Sequence, residues 1–203
     1  MVWPCDLAVK VEIESKEQIR THYRSELESR ASMEDRRRQW LPTQDPILSP
    51  RLGPGQALPE LRYGSVKDPL PGGWQLIPQD KMGNFYCGNM AYMAADTPFF
   101  PATLPHDGYM DLVTIDGDIS RTASLNMLFD VAKNKVFDNP IVNYRKISGY
   151  RIIPRGKDGY ISIDGERFPW APFQVEVHHG LATVLSRHGY TYEAPSVADR
   201  PTL

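Results

Sequence analysis

Tyr160-Ile161-Ser162-Ile163-Asp164-Gly165-Glu166-Arg167-Phe168 reads as a strand, a two-residue turn and a second strand. Asp-Gly tolerates the positive φ angles that a tight hairpin turn demands. The tip displays two carboxylates, Asp164 and Glu166, beside a bare glycine amide at Gly165. Such a tip can hold a magnesium ion, a metal-bound phosphate or a proton. It can equally be a plain turn, and the local residues leave both readings open.

Working outward from this hairpin, the same signature recurs. Trp74 to Ile77, Phe85 to Cys87, Met110 to Ile115 and Ile141 to Ile153 all read as strands, the last with a bend near Gly149. Phe173, Val175 and Val177 alternate with polar residues, and Leu181 to Leu185 closes the set. Short strands with closely spaced turn signals predict a mostly β fold, an antiparallel β-sandwich spanning residues 73–190. One packed helix interrupts it. Ser120 can cap it, and Leu125, Leu128, Phe129 and Ala132 form an apolar face that Met127 and Val131 widen. The residues allow either a helix that simply packs on the sheet or one that lines an apolar cavity.

The N-terminal 33 residues add a strand and a helix. Leu7, Val9, Val11 and Ile13 alternate with polar neighbours, as a half-buried strand requires. Ser15-Lys16-Glu17-Gln18 is a capping box, followed by the apolar stripe Ile19, Tyr23, Leu27. Residues 34–72 change character. Arg36-Arg37-Arg38 leads into Pro42, Pro46, Pro50, Pro54, Pro59, Pro69 and Pro71, which predicts a disordered insertion. Residues 191–203 read as a tail.

Totals exclude several classes. The 203 residues carry a formal net charge of −2, which argues against nucleic-acid binding through a broad basic surface. No apolar run approaches a membrane span. Cys5 and Cys87 make neither a disulfide framework nor a zinc spacing, and read as reduced thiols of a cytoplasmic protein. There is no Walker loop, no GxGxxG and no Gly-x-Ser-x-Gly elbow. His178-His179 lies in a strand, so the two rings point apart. His106-Asp107-Gly108 is a second acidic turn, whose carboxylate could help to hold a hard cation or could be a turn alone.

Three longer motifs carry a resemblance. They are Asn84-Phe85-Tyr86-Cys87-Gly88-Asn89-Met90-Ala91-Tyr92 with its continuation through Phe99-Phe100-Pro101-Ala102, Leu104-Pro105-His106-Asp107-Gly108-Tyr109-Met110-Asp111-Leu112-Val113, and Gly159-Tyr160-Ile161-Ser162-Ile163-Asp164-Gly165-Glu166. In this order they resemble the C-terminal domain of fungal sphingoid long-chain base kinases, within the diacylglycerol-kinase-like lipid kinases. Pro4 to Lys10 and Ser15-Lys16-Glu17 resemble the start of that domain's ordered part. The resemblance implies a β-sandwich that holds the lipid, with the ATP-binding N-terminal kinase domain missing from this chain. It implies that Asp164, Gly165 and Glu166 face ATP and Mg2+, with Glu166 as the catalytic candidate. It places Phe99, Val113, Ile115, Met127, Leu128 and Val131 along the acyl-chain cavity and makes Asp107 a metal candidate. The implied partners are a sphingoid base, the missing domain and, peripherally, a membrane. The alternative is a catalytically inactive lipid-binding or interaction module of the same fold.

Overall fold

The alternation of Leu7, Val9 and Val11 is realised as strand β1 (Cys5–Ile13), in which Cys5, Leu7 and Val9 are fully buried. The structure is a computed structural model that describes residues 3–39, 58–94, 97–133, 135–182 and 197. Helix α1 (Lys16–Gln39) starts at the capping box that the sequence announces. The Gln18 amide donates to Ser15 Oγ at 3.1 Å, and the Ser15 amide donates to Gln18 Oε1 at 3.2 Å. Its stripe Ile19, Tyr23 and Leu27 faces the core. The helix runs past the expected boundary near residue 33, because the Arg- and Glu-rich continuation consists of good helix formers.

The remaining strands are β2 (Gln75–Gln79), β3 (Met82–Gly88), β4 (Tyr92–Ala94), β5 (Thr97–Pro98), β6 (Met110–Asp116), β7 (Asn143–Pro154), β8 (Ile161–Ile163), β9 (Glu166–Phe168) and β10 (Phe173–Glu176). Helix α2 (Arg121–Ala132) and a 3-10 turn, Val136–Asp138, lie between β6 and β7. The fold is mostly β and wholly antiparallel in its pairings. One sheet runs β2-β1-β7-β6-β3, with β10 also paired to β7, and it does not close into a barrel. β4–β5 and β8–β9 are separate two-stranded ribbons. Leu181 and Ala182 carry no strand, and 183–185 lie outside the described residues.

Both faces of the sheet are apolar. On one, Val113 and Ile115 of β6 and Tyr144 of β7 pack with Ile19, Phe99 and Met127. On the other, Leu112 of β6 and Ile147, Tyr150 and Ile152 of β7 pack with Leu7 and Val9. The parity change within β7 has a local cause. Lys10 pairs with Gly149 but Val11 pairs with Ile147, so one extra residue is inserted into β7. A bulge of this kind turns every later side chain to the opposite face. The bend expected near Gly149 is this bulge.

The Pro-rich stretch lies partly outside the described residues, at 40–57. Its described part, 58–72, has neither helix nor strand yet is bonded to the sheet. Arg151, 5% exposed, donates to Gln174 Oε1 at 2.7 Å and to the carbonyls of Asp68 and Ser65 at 2.8 and 3.0 Å. The Arg62 and Tyr63 amides donate to Glu176 at 2.8 and 3.0 Å. Order here comes from side chains of β7 and β10, which local composition does not report. Arg151→Met removes three bonds at once and is expected to cost about 1–3 kcal/mol. Amide exchange over 63–68 is then expected to rise; unchanged protection there would refute the role given to Arg151.

Candidate functional site

The acidic hairpin forms as the sequence predicts. Asp164 takes φ 51° and Gly165 φ 87°, the left-handed pair of a tight hairpin turn. Nothing lies within 4 Å of where a Gly165 side chain would start, so glycine is required there by backbone angle and the tip stands clear. Both Asp164 and Glu166 are exposed. The base of the ribbon is fixed by Trp170, whose indole N–H donates to the Gly156 carbonyl at 2.9 Å. A Cβ on Gly159 would fall 2.5 Å from three ring carbons of Trp170. Gly159→Ala is therefore expected to displace the indole and cost about 1–3 kcal/mol. Chemical denaturation followed by tryptophan emission measures this, and an unchanged midpoint would refute it.

The apolar residues expected along an acyl chain come from three separate places. Phe99 follows β5, Val113 and Ile115 lie on β6, and Met127 and Val131 lie on α2. The structure gathers these five into one cluster, with Phe99, Val113, Ile115 and Met127 buried and Val131 partly so. Tyr86 meets Phe99 edge to face at 4.7 Å, and Phe99 meets Phe100 at 5.1 Å. Leu128 is a correction: it is 62% exposed and lines nothing inside. One residue advances a helix by about 100°, so a helix that buries Met127 turns Leu128 outward. The apolar face expected from Leu125, Leu128 and Phe129 is likewise the outer one. Ser120 does cap α2, accepting from the Ala123 amide at 3.1 Å.

Asp107 sits in a different environment from the one expected for a metal ligand. Lys146 Nζ, fully buried, lies 2.9 Å from Asp107 Oδ2 and 3.3 Å from Asp111 Oδ1. Asp107 also meets His22 Nε2 at 3.4 Å and accepts from the Tyr109 amide at 2.9 Å. Thr103 Oγ1 donates to Asp111. An ammonium group thus supplies the positive charge that this turn needs. Among the described residues no group of three or more His, Cys, Asp or Glu side chains is placed to hold a metal ion. Burial works to raise the pKa of both carboxylates. At Asp107 the His22 hydrogen bond and Lys146 outweigh it, so its pKa falls; at the fully buried Asp111 desolvation wins and its pKa rises. Sequence reasoning passed over Lys146, whose partners are remote along the chain.

No family model matches the chain. Sphingoid long chain base kinase 5 of Saccharomyces cerevisiae is 42% identical over 123 residues, which is 59% of this chain and 18% of the relative. The chain is a homologue of the sphingoid long-chain base kinases. Sphingoid long chain base kinase 4 of Schizosaccharomyces pombe is 33% identical over 104 residues, 50% of this homologue and 23% of its own length. Sphingosine kinase 2 of Homo sapiens is 24% identical over 155 residues, 70% and 24% respectively. The homologue therefore spans about a fifth to a quarter of the curated relatives that it matches. No helix among its described residues is long and apolar enough to cross a membrane.

Proposed function

We propose that this chain is the lipid-holding part of a sphingoid base kinase, which transfers the ATP γ-phosphate to the primary hydroxyl of a long-chain base. The observation that carries the reading is the convergence of Phe99, Val113, Ile115, Met127 and Val131, from the segment after β5, from β6 and from α2, into one apolar cluster. An alkyl chain is matched by apolar walls of this kind. Helix α2 reaches the cluster through Met127 and Val131, so a small outward movement of α2 opens a slot along β6. The exposed Asp164-Gly165-Glu166 tip is the part of the chain suited to a nucleotide phosphate and its magnesium. Glu166 would orient the metal or take the hydroxyl proton. Phosphoryl transfer depends on positioning and charge neutralisation, and these 203 residues contain no glycine-rich phosphate loop. The nucleotide-cradling elements would come from outside them.

Two measurements test the reading. The purified chain is expected to bind sphingosine at one equivalent and, with ATP and Mg2+, to form no phosphorylated product. Failure to bind any long-chain amine would overturn the lipid assignment, and turnover would overturn the division of labour. In a full-length kinase carrying this segment, Glu166→Gln is expected to leave the melting temperature unchanged, because the side chain is exposed, and to lower kcat at least about tenfold. An unchanged kcat would remove Glu166 from the chemistry.

A further inference from the structure

The acidic tip stands on a ribbon whose strands, β8 and β9, pair with each other and with no other described strand. Every residue of β9 is exposed, and Tyr160 and Phe168 are 62% and 43% exposed. A two-stranded hairpin by itself is marginally stable in water. Its direction is therefore set at the stem. The strand residues Tyr160 to Ile163 separate the stem from Asp164, a reach of about 13 Å. A swing of about 5° at the stem then moves the carboxylates by about 1 Å. A misplacement of that size costs on the order of 100-fold in rate.

Two side chains hold the stem. Arg155 follows the last residue of β7, and its amide donates to the Pro4 carbonyl at 3.0 Å. Its guanidinium donates to the Cys5 carbonyl at 3.1 Å and to Asp80 Oδ1 at 2.6 Å, and its Nε lies 3.1 Å from Asp6 Oδ1. One rigid plane is thus joined to β1 and to the turn between β2 and β3. Trp170 holds the other leg. Its indole bonds the Gly156 carbonyl, and its ring meets Trp3 edge to face at 6.0 Å and rests on Gly159. Trp3 is itself tied to β3, its amide donating to the Met82 carbonyl at 2.7 Å. The Arg155 ion pairs are partly exposed, and pairs of that kind add little to stability. What several bonds from one plane fix is orientation, and a lysine ammonium does not reproduce that fork.

We infer that Arg155 and Trp170 are positioning residues that aim the Asp164-Gly165-Glu166 tip at the nucleotide phosphates. Both act through Glu166 and not on the substrate. The inference rests on the kinase reading of the tip and names the side chains that make the tip competent.

The first test needs no turnover. In the 203-residue chain the Gly165 amide is expected to have an order parameter of about 0.85 by amide relaxation, falling below about 0.6 in Arg155→Met and in Trp170→Leu. The melting temperature of Arg155→Met should stay within about 3 °C of the parent. Unchanged order at Gly165 in both variants would overturn the proposal. The second test uses a full-length kinase carrying this segment. Arg155→Met should lower kcat at least about tenfold and leave the KM for sphingosine unchanged. Arg155→Lys should fall between it and the parent. Added to Glu166→Gln, Arg155→Met should cost no more than about threefold further, because both act through one carboxylate. Full multiplication of the two effects would mark a merely structural role and overturn the proposal. A parent-like kcat in Arg155→Met beside a slow Glu166→Gln overturns the positioning role alone. A parent-like kcat in Glu166→Gln removes the reading of the tip, and this proposal with it.

Discussion

Lys146→Met is expected to lower the stability of this domain by about 3–5 kcal/mol. Lys146 is fully buried between two carboxylates that are each 1% exposed in their side chains. Removing the ammonium leaves Asp107 with His22 and the Tyr109 amide, and Asp111 with the Thr103 and Tyr144 hydroxyls. Methionine restores the volume and none of the charge, so the loss reads the electrostatics and not a cavity. A fall in melting temperature of roughly 10 °C follows for a chain of this size. A second substitution, Asp111→Asn, removes one orphaned carboxylate and is expected to recover part of the loss. A melting temperature within 2 °C of the parent would show that the cluster is not the buried ion group described.

The same group fixes the pH dependence. Burial alone would lower the pKa of Lys146, but Asp111 and Asp107 hold it above its ordinary 10.5. A raised folded pKa gives stability that is complete below the unfolded value and is lost as pH climbs through the folded one. Buried Tyr144, whose pKa stands well above 10.0, acts in the same direction. Asp107 has the opposite sign: its depressed pKa gives stability above about 3.8 that is lost as pH falls further. Asp111, raised, favours the fold in acid and loses that contribution as pH rises through its folded value. Lys146→Met should therefore flatten the alkaline limb of a stability–pH curve; an identical alkaline limb would refute the linkage.

Much of this fold is written in short-range pattern. The alternation of β1, the Ser15–Gln18 capping box, the Ser120 cap and the Asp164-Gly165 turn each depend on residues within four positions of one another, and each forms as read. What the sequence hid depends on distant partners. Arg151 orders Ser65 and Asp68 from more than eighty positions away. Lys146 meets Asp107 across 39 positions, so the residues around Asp107 show an acidic turn and not its buried cation. The inner face of α2 was hidden for another reason: the polar stripe Thr122, Asn126, Asp130 has apolar residues on both sides, Leu125, Leu128 and Phe129 on one and Met127 and Val131 on the other, and periodicity does not say which side is buried. The β7 bulge, in contrast, lies beside Gly149, and that glycine is the mark by which the sequence announces it.

Met127→Ala is the substitution that separates packing from lipid binding. Met127 is 8% exposed within the cluster that holds Phe99, Val113 and Ile115, and truncation there is expected to cost about 2–5 kcal/mol. Leu128→Ala, one helical step away and 62% exposed, should change stability by no more than about 0.5 kcal/mol. That contrast reports the phase of α2. Sphingosine then supplies the second reading. If the alkyl chain lies between α2 and β6, the space vacated by the thioether has a ready occupant, and each tenfold by which the variant binds lipid more tightly than the parent returns about 1.4 kcal/mol of the loss. The gap in melting temperature between Met127→Ala and the parent should narrow as sphingosine is added. A gap that stays constant while sphingosine still binds would place the lipid elsewhere on the chain and leave this cluster as core. Sphingosine is an amphiphile, so the Leu128→Ala protein serves as the control: a non-specific detergent effect would shift both variants alike, whereas filling of the Met127 space stabilises Met127→Ala by more than Leu128→Ala.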